Sequence, residues 1–153
     1  MIHVLVGVQG SGKTTFAKVL SKELNCEVIS TDYIRKNTPG ILEKDVWELT
    51  YKALAKNLME NVDVIFDATS ISKKVRKRFF DEVSKFGVEV KAIAYYLKTD
   101  VNECFERVKN RNEDKNELYL PPEVVYSYHE KLEIPNIEEG FLDVKIVVDN
   151  KIE

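Results

Sequence analysis

At 153 residues the chain suits one domain built on one core. Its apolar fraction of 44% and charged fraction of 32% are the balance of a soluble globular protein, and no apolar run reaches the roughly 18–20 residues of a membrane helix. A net charge of −3 argues against a general nucleic-acid binder, the cysteines Cys26 and Cys104 form no Cys-x-x-Cys pair, and the first apolar run leads into glycines rather than a cleavage site, so the cytoplasm is the expected compartment.

In chain order, strands and helices alternate. Ile2 to Val8 is an apolar, β-branched run that reads as a buried strand. Lys13 to Leu24 carries Phe16, Val19, Leu20 and Leu24 at helical spacing. Glu27 to Thr31 is a second strand. Asp45 to Asn61 is helical, with Val46, Leu49, Ala53, Leu54 and Leu58 on one face, and Val62 to Phe66 is a third strand stopping at Asp67. Ser72 caps a helix whose stripe is Val75, Phe79, Val83 and Phe86 and which stops at Gly87. Val88 to Leu97 is a fourth strand. Asp100 opens a helix to about Arg111, the polar stretch Asn112 to Leu120 is irregular, and Pro121 or Pro122 starts a helix through about Leu132. Phe141 to Val148 is the last strand. Five strands separated by helices predict an α/β fold, a parallel sheet with helices on both faces, in a single domain over 1–153. The segment at about 107–120 is expected to be a mobile lid.

Gly7-Val8-Gln9-Gly10-Ser11-Gly12-Lys13-Thr14 fits G-x-x-x-x-G-K-[ST] at every fixed position, between a predicted strand and a predicted helix, with Thr15 following. Its glycines let the backbone wrap closely with N–H groups pointing inward, and the helix behind them offers the positive end of its dipole. Lys13 can bridge the β- and γ-oxygens of ATP, and the Thr14 hydroxyl can ligate Mg²⁺.

The loop alone does not fix the reaction. A GTPase needs Asn-Lys-x-Asp after a late strand, and the nearest string, Asn150-Lys151-Ile152-Glu153, carries Glu in the last place. Asp32, just past the second strand, faces the ligand crevice if the sheet is parallel. There it can take the proton of an attacking hydroxyl, or else cap the following turn or reach Mg²⁺ through water. Arg35, three residues on, can hold an acceptor phosphate or be an ordinary surface arginine. Arg107 and Arg111 share a helix face that either reaches the transferring phosphoryl group or stays solvated beside Glu103 and Glu106. Asp67 suits a metal-proximal carboxylate or a helix cap. Lys73, Lys74, Arg76, Lys77 and Arg78 crowd one helix start and can track a nucleic-acid backbone or form a solvated face. His3 and His129 assemble no metal set.

On these residues the chain resembles the kinase domain of phage-type polynucleotide 5′-hydroxyl kinases and the small P-loop kinases around them. The resemblance runs through Gly7 to Thr14, Asp32-x-x-Arg35, Asp67-Ala68-Thr69, Arg107-x-x-x-Arg111, and Pro122-Glu123-Val124-Val125 with Glu138-Glu139-Gly140-Phe141. It implies the P-loop NTPase fold and Mg²⁺-assisted transfer of the γ-phosphoryl group of ATP. In those kinases the equivalents of Asp32 and Arg35 activate the hydroxyl and contact the acceptor phosphate. The implied acceptor is the 5′-hydroxyl of RNA or DNA. A kinase of a small metabolite or nucleoside, and an ATP-binding regulator with little turnover, are the alternatives.

Overall fold

In the computed structural model, which describes residues 1–153, strand β1 (Ile2–Val6) is buried at every position. Both of its faces are covered, so its sequence has no need to alternate apolar with polar. The other elements are α1 (Lys13–Leu24), β2 (Glu27–Ser30), α2 (Thr31–Asn37), α3 (Glu43–Met59), β3 (Val64–Asp67), α4 (Lys73–Ser84), β4 (Ala92–Leu97), α5 (Val101–Arg111), α6 (Val124–Lys131), a one-turn 3-10 helix (Ile137–Glu139), β5 (Asp143–Val148) and β6 (Lys151–Ile152). The sheet order is β2-β3-β1-β4-β5-β6. The first five strands are parallel, and β6 pairs antiparallel with β5.

The core lies on the two faces of the sheet. On one face Val4, Val6, Phe66 and Ala94 pack against Leu54 of α3 and Phe79 and Val83 of α4. On the other, Leu5, Ile65, Tyr95 and Val147 pack against Phe16, Ala17 and Leu20 of α1. A smaller cluster of Val8, Ile71, Cys104, Val108 and Val125 joins α5 and α6 to the loops after β1 and β3. Register decides what meets at the top of the sheet. Leu5 and Ser30 both pair with Asp67, so β1, β2 and β3 end level and their following loops converge.

The doubly covered sheet agrees with expectation, with differences of detail. A sixth strand is present because Asp149 and Asn150 both take left-handed backbone (φ 49° and 63°), which suits a tight hairpin turn. Residues 31–37 form a helix, with Ser30 as its cap accepting from Tyr33 N. Val8, Val62 and Val88 lie outside the strands, and Phe141 is buried ahead of β5. Leu49 and Val19 point to solvent, because α3 and α1 bury narrower stripes than helical spacing suggests, and Phe86 is exposed because α4 ends at Ser84, before reaching it. No helix is long and apolar enough to cross a membrane.

Candidate active site

The loop from Gly7 to Gly12 leaves β1 and feeds α1. Gly10 and Gly12 have φ of 77° and 98°, a region costly for any residue with a Cβ. At Gly10 a Cβ would come within 2.4 Å of the Cys104 carbonyl oxygen, so α5 presses directly on the loop. Gly7 N donates to the Thr69 carbonyl (3.1 Å), fastening the loop to the segment after β3. Gln9 Oε1 and Ser11 Oγ are buried here without protein partners, polar atoms in a loop shaped to receive something.

Lys13 Nζ donates to the carbonyls of Gly7 (3.0 Å) and Val8 (2.9 Å) and is thereby curled back over the loop. Burial holds its pKa below the usual lysine value, against the pull of Asp67 and then Asp32. Thr14 Oγ1 donates to Asp67 Oδ2 at 3.3 Å. Burial pushes the Asp67 carboxyl above the ordinary carboxylate range, opposed mainly by Lys13 and by the Thr14 hydroxyl. These two hard oxygen donors fit Mg²⁺. No group of three or more His, Cys, Asp or Glu side chains gathers around them, so a Mg²⁺ held here would draw the rest of its shell from nucleotide oxygens and water.

Asp32 sits in the first turn of α2 with its side chain 69% exposed, and Arg35 Nη1 donates to it at 2.7 Å. Arg35 also grips Glu43 of α3 through Nε (3.0 Å to Oε2) and Nη2. This grip raises the Arg35 pKa and lowers that of Glu43. Glu43 carries no signal in sequence, since its partner lies on another helix. Arg107 Nη1 donates to the Gly10 carbonyl (3.1 Å) and Nη2 to Glu103. Arg111 Nε is buried and unpartnered, with its charge felt by both Lys13 and Asp67.

One cleft of about 860 Å³ gathers Lys13, Thr14, Asp32, Arg35, Asp67 and Arg111, with Gln9, Gly10, Gly12, Thr15 and Arg107 also on its walls. On the other side of Gly12 a second cavity of about 390 Å³ is bounded by Thr15, Leu97, Arg107, Val147 and Asn150. The 112–120 loop overhangs the larger cleft. Asn112 clips its ends together through the backbone of Leu120 (2.7 and 3.0 Å), and Glu117 reaches Lys36 of α2 at 3.8 Å.

The basic helix start is only partly what the sequence suggests. Arg76 is buried, donating to Glu139 (2.6 and 3.1 Å) and to the Ser70 carbonyl (2.8 Å), and so is no part of an exposed track. Lys77 is paired with Asp81 at 2.7 Å. Lys73 and Lys74 are exposed at the end nearest the cleft.

A family model described as AAA domain matches residues 2–135. The L-seryl-tRNA(Sec) kinase of Methanococcus maripaludis is 26% identical over 163 residues, covering 97% of this chain and 59% of that protein. The bifunctional polynucleotide phosphatase/kinase of Schizosaccharomyces pombe is 26% identical over 149 residues, covering 95% of this chain and 33% of that one. The chain thus spans less than two thirds of the length of either relative. Among solved structures, Chaetomium thermophilum Kti12 in complex with ADP-AlF3 superposes with a TM-score of 0.76 at 19% identity, over 97% of this chain and 89% of that chain.

Proposed function

The chain belongs to the AAA domain family, as a P-loop kinase of that group, and on that premise we propose that it transfers the γ-phosphoryl group of ATP to a hydroxyl acceptor, the 5′-hydroxyl of RNA or DNA. The observation that carries this reading is Asp32. Its carboxylate opens into the same cleft as Lys13 and Arg111 and lies 2.7 Å from the Arg35 guanidinium. A nucleotide-binding loop needs no such carboxylate merely to hold ATP. A transferase to an alcohol does, because the attacking oxygen must lose its proton.

In the proposed reaction the triphosphate lies along Gly7 to Thr14 and the donor base enters the cavity beside Gly12. Lys13 swings from the Gly7 and Val8 carbonyls to the phosphate oxygens. Asp32 accepts the hydroxyl proton, the acceptor oxygen bonds to the γ-phosphorus, and the bond to the bridging β–γ oxygen breaks to release ADP. Lys13 and Arg111 face the charge that moves onto the phosphoryl oxygens. Mg²⁺ held by Thr14 and Asp67 would neutralise part of that charge when bound. Arg35 holds a phosphate of the acceptor once Glu43 releases it. Residues 107–120 act as the lid of a single kinase domain, in the cytoplasm.

The choice of nucleic acid draws support from two relatives named for L-seryl-tRNA(Sec) and for polynucleotides. One observation favours the runner-up, a kinase of a small metabolite or nucleoside: Glu43 and Glu117 both line the cleft, and by pairing with Arg35 and Lys36 they take up positive charge that a polyanion would use. Incubation with γ-labelled ATP, 5′-hydroxyl oligonucleotides and a metabolite mixture separates the readings. Label at the oligonucleotide end is expected. Label on a small acceptor alone moves the assignment to the runner-up. Tight ATP binding without transfer to anything leaves a nucleotide-binding regulator.

A further inference from the structure

We propose that Trp47 is the platform on which the acceptor's terminal nucleobase stacks. The proposal deepens the reading above and rests on it: the acceptor carries a base beside its hydroxyl. Trp47 lies one helical turn beyond Glu43 on α3 and so shares its face. Its indole stands edge-on to Phe66 (centroids 6.4 Å apart, planes at 88°) and leans on Tyr51 at 5.8 Å. Phe66 belongs to the core of the sheet, so the ring is anchored without any ligand.

Part of the indole stays accessible. Trp47 is only partly buried, and it lines the cleft beside Asp32, Arg35 and Glu43. An aromatic surface left in water among three charged groups gains little until a flat apolar partner covers it. A nucleobase is such a partner, and stacking on an aromatic side chain tolerates any base, because each has a π-face. The neighbouring chemistry fits the rest of a nucleotide: a carboxylate for the hydroxyl proton and a guanidinium for a phosphate. Tyr119, 73% exposed on the 112–120 loop, lines the same cleft and offers a second ring. A small metabolite without a base would use the charges and leave both rings bare.

Trp47 is the chain's single tryptophan, so indole fluorescence of the intact protein reports on this position alone. The test compares a 5′-hydroxyl trinucleotide with the same trinucleotide abasic at its 5′ position, in fluorescence titration and in the kinase assay. The base-bearing form is expected to quench the emission and the abasic form to leave it, with the abasic KM higher by about tenfold. Trp47→Leu should bring the ratio of the two KM values close to one, and Trp47→Phe should keep part of it. Equal quenching by both oligonucleotides, or equal KM values in the parent protein, overturns the proposal. A base-dependent quench without transfer supports the platform while removing the kinase reading. Neither quench nor transfer removes both.

Discussion

Thr14 of α1 and Asp67 of β3 stand side by side, hydroxyl to carboxylate at 3.3 Å, although 53 residues separate them. A metal between these oxygens and the nucleotide would hold Asp67 ionised against the burial that pushes its pKa up. Asp67→Asn is therefore expected to lower kcat and to raise the Mg²⁺ concentration for half-maximal rate by tenfold or more, an effect of the size roughly expected for a lost charged ligand. Chelation with EDTA should abolish turnover. An Mg²⁺ titration of variant and parent that superpose would remove Asp67 from the metal.

Lys13 is held by two loop carbonyls, and in the proposed reaction it leaves them for the phosphate oxygens. Lys13→Ala should reduce transfer by at least about a hundredfold, because the charge is missing where negative charge builds. The fold should persist, since the lysine contributes nothing to the three apolar clusters. Circular dichroism together with a single-turnover assay checks both halves, and a variant with most of the parental rate contradicts the role.

Asp32→Asn separates a base from a bystander. The amide keeps the shape and cannot take the proton, so kcat should fall by about 10²–10⁴-fold while ATP affinity holds. Rescue by added Mg²⁺ would instead point to metal positioning. Parental turnover would take away the main support for a hydroxyl acceptor.

The helix that begins at Lys73 gives two opposite expectations. Lys73→Ala with Lys74→Ala should raise the oligonucleotide KM and flatten its salt dependence, leaving the KM for ATP in place. Arg76→Ala should instead destabilise the protein, by about 3–5 kcal/mol, because Glu139 is left as an uncompensated charge. Denaturant melts and a salt series distinguish the two. An Arg76 variant as stable as the parent would show that the brace contributes little.

At the opposite end of the sheet His3 is buried, with Nδ1 2.8 Å from the Tyr95 hydroxyl and Nε2 3.5 Å from Asp63. Burial lowers its pKa below the ordinary 6.5 more than Asp63 raises it, and the Tyr95 pKa is pushed up to about 12. The unfolded chain therefore binds the proton more readily than the folded one. His3 costs nothing above pH 6.5, and stability falls as the pH drops from there through the folded-state value. His3→Gln should flatten the stability profile below pH 6.5 relative to the parent. Parallel profiles would show that His3 does not titrate in that range.

Much of the candidate site was legible along the chain because its chemistry is local. The loop from Gly7 to Thr14 is one contiguous turn between a strand and a helix, and the turn demands its own glycines. Asp32 and Asp67 come at or just past strand ends, and a parallel sheet gathers the carboxyl ends of its strands at one edge. The buried runs of β1 and β3 and the helical stripes announce an α/β sheet before any contact is known. Tertiary structure decided the rest, since it depends on partners far apart in sequence. The charge of Arg76 reads like that of its neighbours, and only the approach of Glu139 turns it inward. Arg35 meets Glu43 because α2 and α3 fold against each other. Trp47 follows no pattern that marks it for a cleft; it reaches the cleft wall because α3 packs on the sheet, where Phe66 and Tyr51 hold its ring in place. Sequence sets the chemistry a residue is capable of and the direction its own segment runs. Packing between segments determines which of those capacities are left free, because a buried charge must find a partner and an anchored ring can turn only one way.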